Sequence, residues 1–152
     1  MKKSVNILNK KARFTYDLLD SYVAGIVLSG TEIKSIRESK ASITESFCEF
    51  NLRGELFVIN MTIQEYEFGN QYNHAPKAER KLLLNKNELV KLEKEVKNSG
   101  LTIVPLKLFI NDKGFAKLRI SLAKGKKLFD KREAIKDREN KRDLDRIKKN
   151  FK

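Results

Sequence analysis

Few residues of this sequence could carry out covalent or metal chemistry. The chain contains one histidine, His74, and one cysteine, Cys48. These counts exclude a site built on several histidines, an internal disulfide and a cysteine-rich metal site. A catalytic Cys–His pair stays open as an alternative. However, Cys48 lies in a strand-like pattern beside Phe47 and Phe50, where a buried thiol is unreactive. His74 lies in the polar segment 70–76, where it could contact a partner, although we expect it to face solvent.

Two carboxylates offer a second alternative, the metal-assisted hydrolysis of nucleic acid. Glu32 and Asp112 are the candidates, but nothing in the sequence fixes the distance between them. Local preferences explain both residues, since glutamate favours a helix start and aspartate favours a turn. The segment 123–127 is not a phosphate-binding loop either, because it has one glycine and lacks the Walker spacing. We therefore predict no catalytic residue, no bound metal and no cofactor.

Electrostatic binding of a polyanion has much stronger support. The 152 residues include 33 Lys or Arg and 20 Asp or Glu, which gives a net charge of +13 at pH 7. Charged residues make up 35% of the chain, against about 25% in an average globular protein. The excess is uneven, because residues 123–152 hold 13 basic and 6 acidic residues and so contribute +7. This distribution favours a nucleic acid as the partner.

Charge and apolar pattern divide the chain into three parts. Residues 1–13 form a basic arm without an acidic residue, residues 14–122 form the body, and residues 123–152 form a basic tail. The tail has too few large apolar residues to repay the entropy of folding alone, so we predict that it is disordered in the free protein. Its Leu144 and Ile147 are spaced as on a helix face, which predicts a helix when the tail is bound.

The sequence also predicts where the protein works. The amino-terminal segment lacks the apolar stretch of a secretion signal, and no apolar run approaches the roughly 18 residues of a membrane span. The single cysteine without a partner fits a reducing compartment. We therefore expect a cytoplasmic protein that does not associate with a membrane.

Alternation of apolar and polar residues predicts a strand at Phe115–Leu122. The inward residues would be Ala116, Leu118, Ile120 and Leu122, and the basic outer face would consist of Phe115, Lys117, Arg119 and Ser121. The turn signal at Asn111–Gly114 predicts a hairpin with Thr102–Ile110. Pro105 suggests that this partner strand lies at an edge, at least locally.

The rest of the body is predicted to hold further strands and two helices. The predicted elements are a hairpin of Phe47–Leu52 and Glu55–Asn60 with Arg53 and Gly54 in its turn, one or two strands in Tyr16–Leu28 bent at Ala24 and Gly25, a helix at Thr31–Ser39, and a helix from Asn85 to the stop signal at Asn98–Gly100. Because the strands do not alternate regularly with helices, the fold class is mainly β with helices, in the form of a small closed or partly open barrel.

The residues alone predict an RNA-binding protein. The lysines of the segment 123–127 follow the basic strand and lead into the basic tail, where they can track a phosphate backbone. Aromatic residues available for stacking on bases are Phe14, Tyr16, Tyr22, Phe68 and Tyr72. A small β-barrel with a basic tail is therefore expected to bind RNA, and DNA stays open as an alternative.

Four separated blocks of the sequence resemble the small protein B (SmpB) family, the SsrA-binding proteins of bacteria. They are Gly-Thr-Glu-Ile-Lys-Ser-Ile-Arg at 30–37, Arg-Lys-Leu-Leu-Leu at 80–84, Thr-Ile-Val-Pro-Leu at 102–106, and Ala-Lys-Gly-Lys-Lys at 123–127 followed by Asp-Lys-Arg-Glu at 130–133. The order and spacing match from about Asn9 to the last residue. Four blocks in the right order are far more specific than any single basic motif.

This resemblance implies a role in trans-translation, the rescue of stalled ribosomes. It implies an oligonucleotide-binding (OB)-like β-barrel with two to three packed helices, which binds the tRNA-like domain of transfer-messenger RNA (tmRNA, SsrA RNA) and is not an enzyme. The other implied partners are the ribosome, chiefly its small subunit, and the elongation factor Tu complex, reached through alanyl-tmRNA. A monomer is expected. The tail would be unstructured when free and helical in the empty messenger channel of the small subunit.

The resemblance also assigns residues to these contacts. RNA contacts are expected from Asn9, Lys10, Lys11, Arg13, Thr31, Glu32, Lys34, Ser35, Arg37, Arg80, Lys81, Lys117, Lys124, Gly125, Lys126 and Lys127. Asp130, Lys131 and Arg132 open the tail and are expected to serve the ribosome-linked step. Phe14 and Val23 depart from the family pattern, so hydrogen bonds made from those positions are not expected here. Two alternatives stay open: Glu32 could cap its helix instead of touching RNA, and the protein could be a general RNA-chaperone or ribosomal OB-fold protein.

Overall fold

The computed structural model describes residues 5–125, and Lys126, Lys127, Asp130, Lys131, Arg132 and the rest of the predicted tail lie outside the described residues. The strands are β1 (Asn6–Leu8), β2 (Tyr16–Ile26), β3 (Ala41–Ser42), β4 (Phe47–Phe50), β5 (Leu56–Ile59), β6 (Thr62–Ile63), β7 (Arg80–Leu83), β8 (Thr102–Ile110) and β9 (Ala116–Gly125). The helices are α1 (Ala12–Thr15), α2 (Gly30–Arg37) and α3 (Lys86–Ser99), with a short 3-10 helix at Asn70–Tyr72.

Six antiparallel strands form a closed ring in the order β8-β4-β5-β7-β2-β9, and β9 pairs with β8 to close it. Strand β1 joins the outside of this ring on β8, and the two-residue strands β3 and β6 pair separately. Large aliphatic side chains fill the interior, among them Leu56, Leu82, Ile103, Leu118 and Ile120, all at most 1% exposed. The mainly β fold with helices is confirmed, and the ring of strands is compatible with the OB-like prediction.

Both predicted hairpins are present, and their turns use the same local chemistry. The Asn111 Oδ1 atom accepts hydrogen bonds from the backbone N–H groups of Lys113 and Phe115, and Gly114 has a φ of +85°. The Asn51 side chain makes the equivalent bonds ahead of β5, and there Gly54 takes the positive φ, +77°. Asparagine at the first position and glycine at the fourth therefore fix where each pair of strands begins.

The expectation that Pro105 lies at an edge, at least locally, is confirmed only in its local form. Strand β8 lies inside the sheet, because it pairs with β9 on one side and with β4 and β1 on the other. Pro105 falls in the gap between Ile103, which pairs with β4, and Lys107, which pairs with β1. No neighbouring backbone needs an N–H group at this point, so proline is tolerated inside the sheet.

Strand β2 also differs from its prediction. It is one continuous strand, and its irregularity lies between Leu18 and Ser21 instead of at Ala24 and Gly25. Opposite this irregularity, Ser121 is completely buried, and its hydroxyl lies within hydrogen-bond distance of the carbonyl oxygens of Leu19 and Asp20, at 3.2 and 3.3 Å, and of its neighbour Leu122, at 2.9 Å. The placement of Ser121 on the exposed basic face was therefore wrong, because the distorted neighbour covers that end of β9.

Both predicted helices are confirmed, with small shifts at their ends. Helix α2 begins after Ser29, whose hydroxyl accepts from the Glu32 N–H while the Glu32 carboxylate accepts from the Ser29 N–H. Helix α3 begins after Asn85, which forms the same reciprocal arrangement with Glu88, and it ends at Gly100 in the left-handed conformation. The capping signals in the sequence therefore located both helix starts.

Regular structure extends past the predicted range of the body at both ends of the described residues. Within the predicted arm, β1 pairs with β8 along its whole length, and Val5 and Ala12 are buried. At the other boundary, β9 continues through Ala123 and Lys124 to Gly125, which pairs with Tyr16. The folded body therefore includes residues on both sides of the predicted range 14–122.

Candidate nucleic-acid interface

The register of three strands brings basic residues from distant parts of the sequence together. Lys107 on β8 pairs with Leu8 of β1 on one side and with Arg119 of β9 on the other. Lys107 and Arg119 alternate with the buried residues Leu108, Leu118 and Ile120. Their side chains therefore lie on the outer face of the ring.

These residues line a basic groove of about 450 Å³ between the outer face of β8 and β9 and the segment that leads into α1. Its lining residues are Leu8, Asn9, Lys10, Arg13, Leu106, Lys107 and Arg119. Four of the seven are cationic and none is acidic, so the groove concentrates positive potential that a phosphate group would neutralise. We call these seven residues the basic groove.

Asn9 ties the amino-terminal segment to the sheet at the bottom of the basic groove. It is 8% exposed, its side-chain Nδ2 donates to the Pro105 carbonyl at 2.8 Å, and its backbone N–H donates to the Leu106 carbonyl at 2.9 Å. These bonds place Lys10 and Arg13 against β8. The position gives Asn9 a supporting function under the basic surface.

The outer face continues from the basic groove toward β7. Lys117 pairs with Gly25 of β2, and its Nζ lies 3.7 Å from the position that a Cβ on Gly25 would occupy. Leu83 of β7 lies next to Gly25 and, like Val23, is about half exposed. A cation beside exposed apolar side chains suits a surface that contacts both the phosphates and the unstacked bases of a folded RNA.

A second group of predicted site residues forms a buried ion pair. Glu32 of α2 and Arg80 of β7 are 7% and 3% exposed, and the Arg80 Nε donates to the Glu32 carboxylate. The other Arg80 nitrogens donate to the carbonyls of Met61 at 2.7 Å, Ala75 at 3.2 Å and Pro76 at 3.1 Å. Arg80 therefore joins α2 to the segment 61–76 and does not present its charge to solvent.

The environment of Glu32 favours its ionised form. Burial alone would raise the pKa of Glu32, but hydrogen bonds from the Ser29 backbone and from Arg80, together with the Arg80 charge, outweigh it and lower the pKa. Glu32 does cap α2, as one of the sequence-based alternatives stated. Because its carboxylate already binds Ser29 and Arg80, Glu32 is not available for the hydrolytic metal site considered with Asp112.

His74 is half-buried, so the expectation that it faces solvent was wrong. Its Nε2 lies 2.9 Å from the Ile63 carbonyl and its Nδ1 lies 2.9 Å from the Thr31 hydroxyl. A carbonyl can only accept, so Nε2 carries the proton and Nδ1 accepts from Thr31 in the neutral ring. The imidazole therefore connects α2 to the segment that follows β6.

Several predicted cations are engaged by neighbouring side chains. Lys11 pairs with Glu45 at 3.1 Å, and Lys81 pairs with Glu55 at 2.6 Å. The hydrogen bond from Lys81 lowers the pKa of Glu55. The Lys34 ammonium lies 5.4 Å from the centre of the Tyr66 ring. Lys11 and Lys81 are thus less free to bind phosphate than the groove cations, which have no acidic residue beside them in the groove lining. The Lys34 contact does not set it apart, because the Lys107 ammonium of the groove lies 5.3 Å from the centre of the Phe109 ring.

The predicted site residues therefore fall into three sets by their burial. The exposed ones are Lys10, Lys11, Arg13, Lys34, Arg37, Lys124 and Gly125, the half-buried ones are Thr31, Lys81 and Lys117, and the buried ones are Asn9, Glu32, Ser35 and Arg80. The structure places Lys107, Arg119 and Leu83 on the same outer face, and the sequence-based list does not include them. The alternation Leu106-Lys107-Leu108 in a predicted strand was the available signal for Lys107, but only the strand register shows that it meets Arg119.

The alternatives based on catalysis gain no support from the described residues. Cys48 is buried, and burial raises the pKa of its thiol. Residues 5–125 contain no group of three or more His, Cys, Asp or Glu side chains placed to hold a metal ion. In the same part of the chain, no helix is long and apolar enough to cross a bilayer.

Comparison with known proteins agrees with the resemblance. The family model described as SmpB protein matches residues 6–150. Relatives called SsrA-binding protein include one from Flavobacterium psychrophilum, which is 70% identical over 99% of this chain and 100% of its own length. Another, from Christiangramia forsetii, is 68% identical over 100% of this chain and 96% of its own length.

A solved structure that concerns tmRNA-SmpB and the center of the bacterial ribosome contains a similar chain. The TM-score is 0.67 at 46% sequence identity, and the match covers 82% of this chain and 86% of the other. The family model spans nearly the whole sequence, and relatives above 60% identity cover it from end to end. This chain belongs to the SmpB protein family.

Proposed function

We propose that this protein binds the tRNA-like domain of tmRNA and delivers it to stalled ribosomes for trans-translation. The observation that carries this proposal is the basic groove, which places four cations and no carboxylate on one face of the ring. The relatives named SsrA-binding protein and the solved tmRNA-SmpB structure support the same partners, tmRNA and the ribosome. The protein acts as a binding module and not as an enzyme.

The basic groove supplies the phosphate contacts in this proposal. Binding releases counterions from the RNA, so exposed cations without acidic neighbours contribute most. The proposed contact residues are Lys10, Lys11, Arg13, Thr31, Lys34, Arg37, Lys81, Lys107, Lys117, Arg119, Lys124 and Gly125, continued by Lys126 and Lys127. The buried residues Asn9, Glu32, Ser35 and Arg80 are positioning residues, which hold the contact elements in place without touching RNA.

The basic tail is proposed to detect an empty messenger channel. An occupied channel would exclude the tail by sterics, and the phosphates of the messenger would repel those of the incoming tmRNA. An empty channel instead offers phosphates to the tail's cations. Asp130, Lys131 and Arg132 would begin this ribosome-linked step, in the cytoplasm, where alanyl-tmRNA arrives with elongation factor Tu. Removal of residues 129–152 should abolish tagging of stalled products while tmRNA affinity at matched salt stays nearly unchanged.

The identity of the bound RNA tests the proposal directly. Sequencing of RNA that co-purifies with the protein from cells should return tmRNA far above its share of total RNA. Purified tmRNA should then stay bound in the presence of excess bulk tRNA. A general RNA-chaperone or ribosomal OB-fold protein would instead return mixed transcripts and lose tmRNA to the competitor, and that result would overturn the proposal.

A further inference from the structure

The segment between β6 and β7 exposes aromatic rings that the basic groove does not include. We call residues 64–79 the aromatic loop. Phe68 is 70% exposed and Tyr72 is 82% exposed. Strand β7, which follows this loop, lies three strands from β8 in either direction around the ring. The two exposed rings do not line the groove, and adjacent exposed rings of this kind make the loop a candidate interaction site.

The aromatic loop is held by side-chain hydrogen bonds at several points. Asn73 accepts from the Tyr66 backbone N–H at 3.0 Å and donates to the Tyr66 carbonyl at 2.6 Å. Arg80 donates to two carbonyls near the other end of the loop, and His74 binds the Ile63 carbonyl. These bonds fix the backbone that carries the exposed rings, so less entropy is lost when a partner binds them.

One ring of the loop already binds a cation within the protein. Tyr66 packs edge-to-face against Phe68, with 5.7 Å between ring centres and an interplanar angle of 70°. The Lys34 ammonium lies 5.4 Å from the centre of the Tyr66 ring. The loop therefore shows, within one molecule, the cation–aromatic contact that its exposed rings Phe68 and Tyr72 could make with a partner.

The charge of the aromatic loop distinguishes between kinds of partner. It contains three glutamates and one lysine, a net charge of −2, in a chain whose net charge is +13. With Lys34, which lies over the Tyr66 ring, the surface still has an acidic excess of one. Glu65 and Glu67 are exposed on either side of Tyr66, and neither takes part in a salt bridge among residues 5–125. Carboxylates beside the rings repel phosphates and attract guanidinium and ammonium groups. The surface thus fits a basic protein segment better than RNA.

We propose that the aromatic loop docks an arginine- or lysine-bearing segment of a protein in the ribosome complex. The basic side chains stack on Phe68 and Tyr72 and pair with Glu65 and Glu67. This assignment goes beyond the proposed function, because it adds a protein contact at a loop that does not line the basic groove. It rests on that function only for the complex in which the contact forms.

Photo-crosslinking from the exposed rings tests the proposal. The full chain, with p-benzoylphenylalanine in place of Phe68 or Tyr72, is bound to tmRNA and added to ribosomes stalled on a message without a stop codon. The expected crosslink survives ribonuclease, disappears with protease, and maps by mass spectrometry to an Arg- or Lys-rich peptide. The same probe at Phe115, an exposed residue next to the turn between β8 and β9, should not mark that peptide.

The same samples separate this proposal from the proposed function. Failure to bind tmRNA before ribosomes are added would overturn the proposed function. Normal tmRNA binding with a ribonuclease-sensitive crosslink, a crosslink to a second copy of this chain, or no crosslink at all would overturn the docking proposal alone. A crosslink to an acidic or neutral peptide would also contradict it, because the charge argument would be wrong.

A charge-neutralising pair provides a second measurement. Glu65→Gln with Glu67→Gln should lower the crosslink yield from Tyr72 at least threefold and leave tmRNA affinity unchanged. The matched control, Glu49→Gln with Asp112→Asn, removes two exposed carboxylates elsewhere and should leave the yield unchanged. Equal yields from both pairs would show that the carboxylates of the loop do not recruit the partner.

Discussion

The basic groove and the region around α2 both contain the cations that a nucleic-acid interface needs, but they use them in opposite ways. In the groove, Lys10, Arg13 and Arg119 are exposed and no acidic residue lines the site. Around α2, Arg80 is buried against Glu32, and Lys34 lies over the Tyr66 ring. Similar residue types are therefore open to a partner in one region and paired inside the protein in the other.

A cation in a family motif is therefore not automatically a ligand-binding cation. Arg80 opens the Arg-Lys-Leu-Leu-Leu block, yet its guanidinium satisfies a carboxylate and three carbonyls inside the protein. Lys107 and Arg119 lie in predicted strands, and only the strand register shows that they are neighbours. Burial and acidic neighbours, more than residue type, decide which role a cation has.

The largest expected effect is on stability, from loss of the buried ion pair. Arg80→Met leaves the Glu32 carboxylate buried without its partner and frees three carbonyls, which should cost about 3–5 kcal/mol. Urea unfolding of the full chain measures this loss. Arg37 lies at an exposed position of α2, the helix that also carries Glu32. Arg37→Met should change stability by less than about 0.5 kcal/mol. Equal losses from the two variants would remove the distinction between architectural and exposed cations.

A smaller effect should depend on pH. The folded protein lowers the pKa of Glu32 below its ordinary value of 4.5, so the ionised carboxylate stabilises the fold above that pH, and this contribution disappears as pH falls through the folded pKa. Glu32→Gln should therefore cost about 1–2 kcal/mol near neutral pH. Unfolding measured from about pH 7 to about pH 3 should show the difference from wild type shrinking toward the acid end. A difference independent of pH would contradict the assigned ionisation.

On the groove side, the expected effect is on RNA affinity. Lys107→Ala with Arg119→Ala removes two of the four cations that line the basic groove. The double variant should weaken tmRNA binding about fivefold to tenfold at physiological salt. Filter binding or fluorescence anisotropy measures the dissociation constant. The control pair Lys91→Ala with Lys94→Ala removes the same charge from the exposed side of α3 and should weaken binding less than twofold. If the control weakens binding equally, net charge and not the groove determines affinity.

The smallest expected effect concerns the contact between Lys34 and Tyr66. Lys34→Met should destabilise the protein by about 0.5–1 kcal/mol, the usual range for an exposed cation–aromatic contact. A double-mutant cycle with Tyr66→Leu isolates the coupling between the two side chains. Additive losses would show that the contact with Lys34 does not stabilise the aromatic loop.

Much of the fold follows from local signals in the sequence. Asn111 with Gly114 predicted one hairpin, and Asn85 with Glu88 predicted the start of α3, because turns and caps depend on neighbouring residues. The position of Pro105 inside the sheet was not predictable, since it depends on where β4 stops pairing with β8 and β1 begins. Strand β1 was also missed, because three residues are too few to show alternation.

The candidate site was predictable in its residue types and less so in its geometry. Lys10 and Arg13 follow from the basic amino-terminal segment, but their partners Lys107 and Arg119 are about 100 positions away and meet them only through the sheet. Burial of Glu32 and Arg80 could not be derived locally either, because their ion pair spans 48 positions. Long-range pairing is the information that composition and spacing do not contain.

The salt dependence of tmRNA binding tests most directly whether the basic groove carries the phosphate contacts. The slope of log affinity against log salt is measured for wild type, for Lys107→Ala with Arg119→Ala, and for Lys34→Ala with Arg37→Ala. Loss of two phosphate contacts should reduce the slope by about 1.4–1.8 for the groove pair. The α2 pair should reduce it by less than half that amount. An α2 reduction equal to or larger than that of the groove would contradict the account.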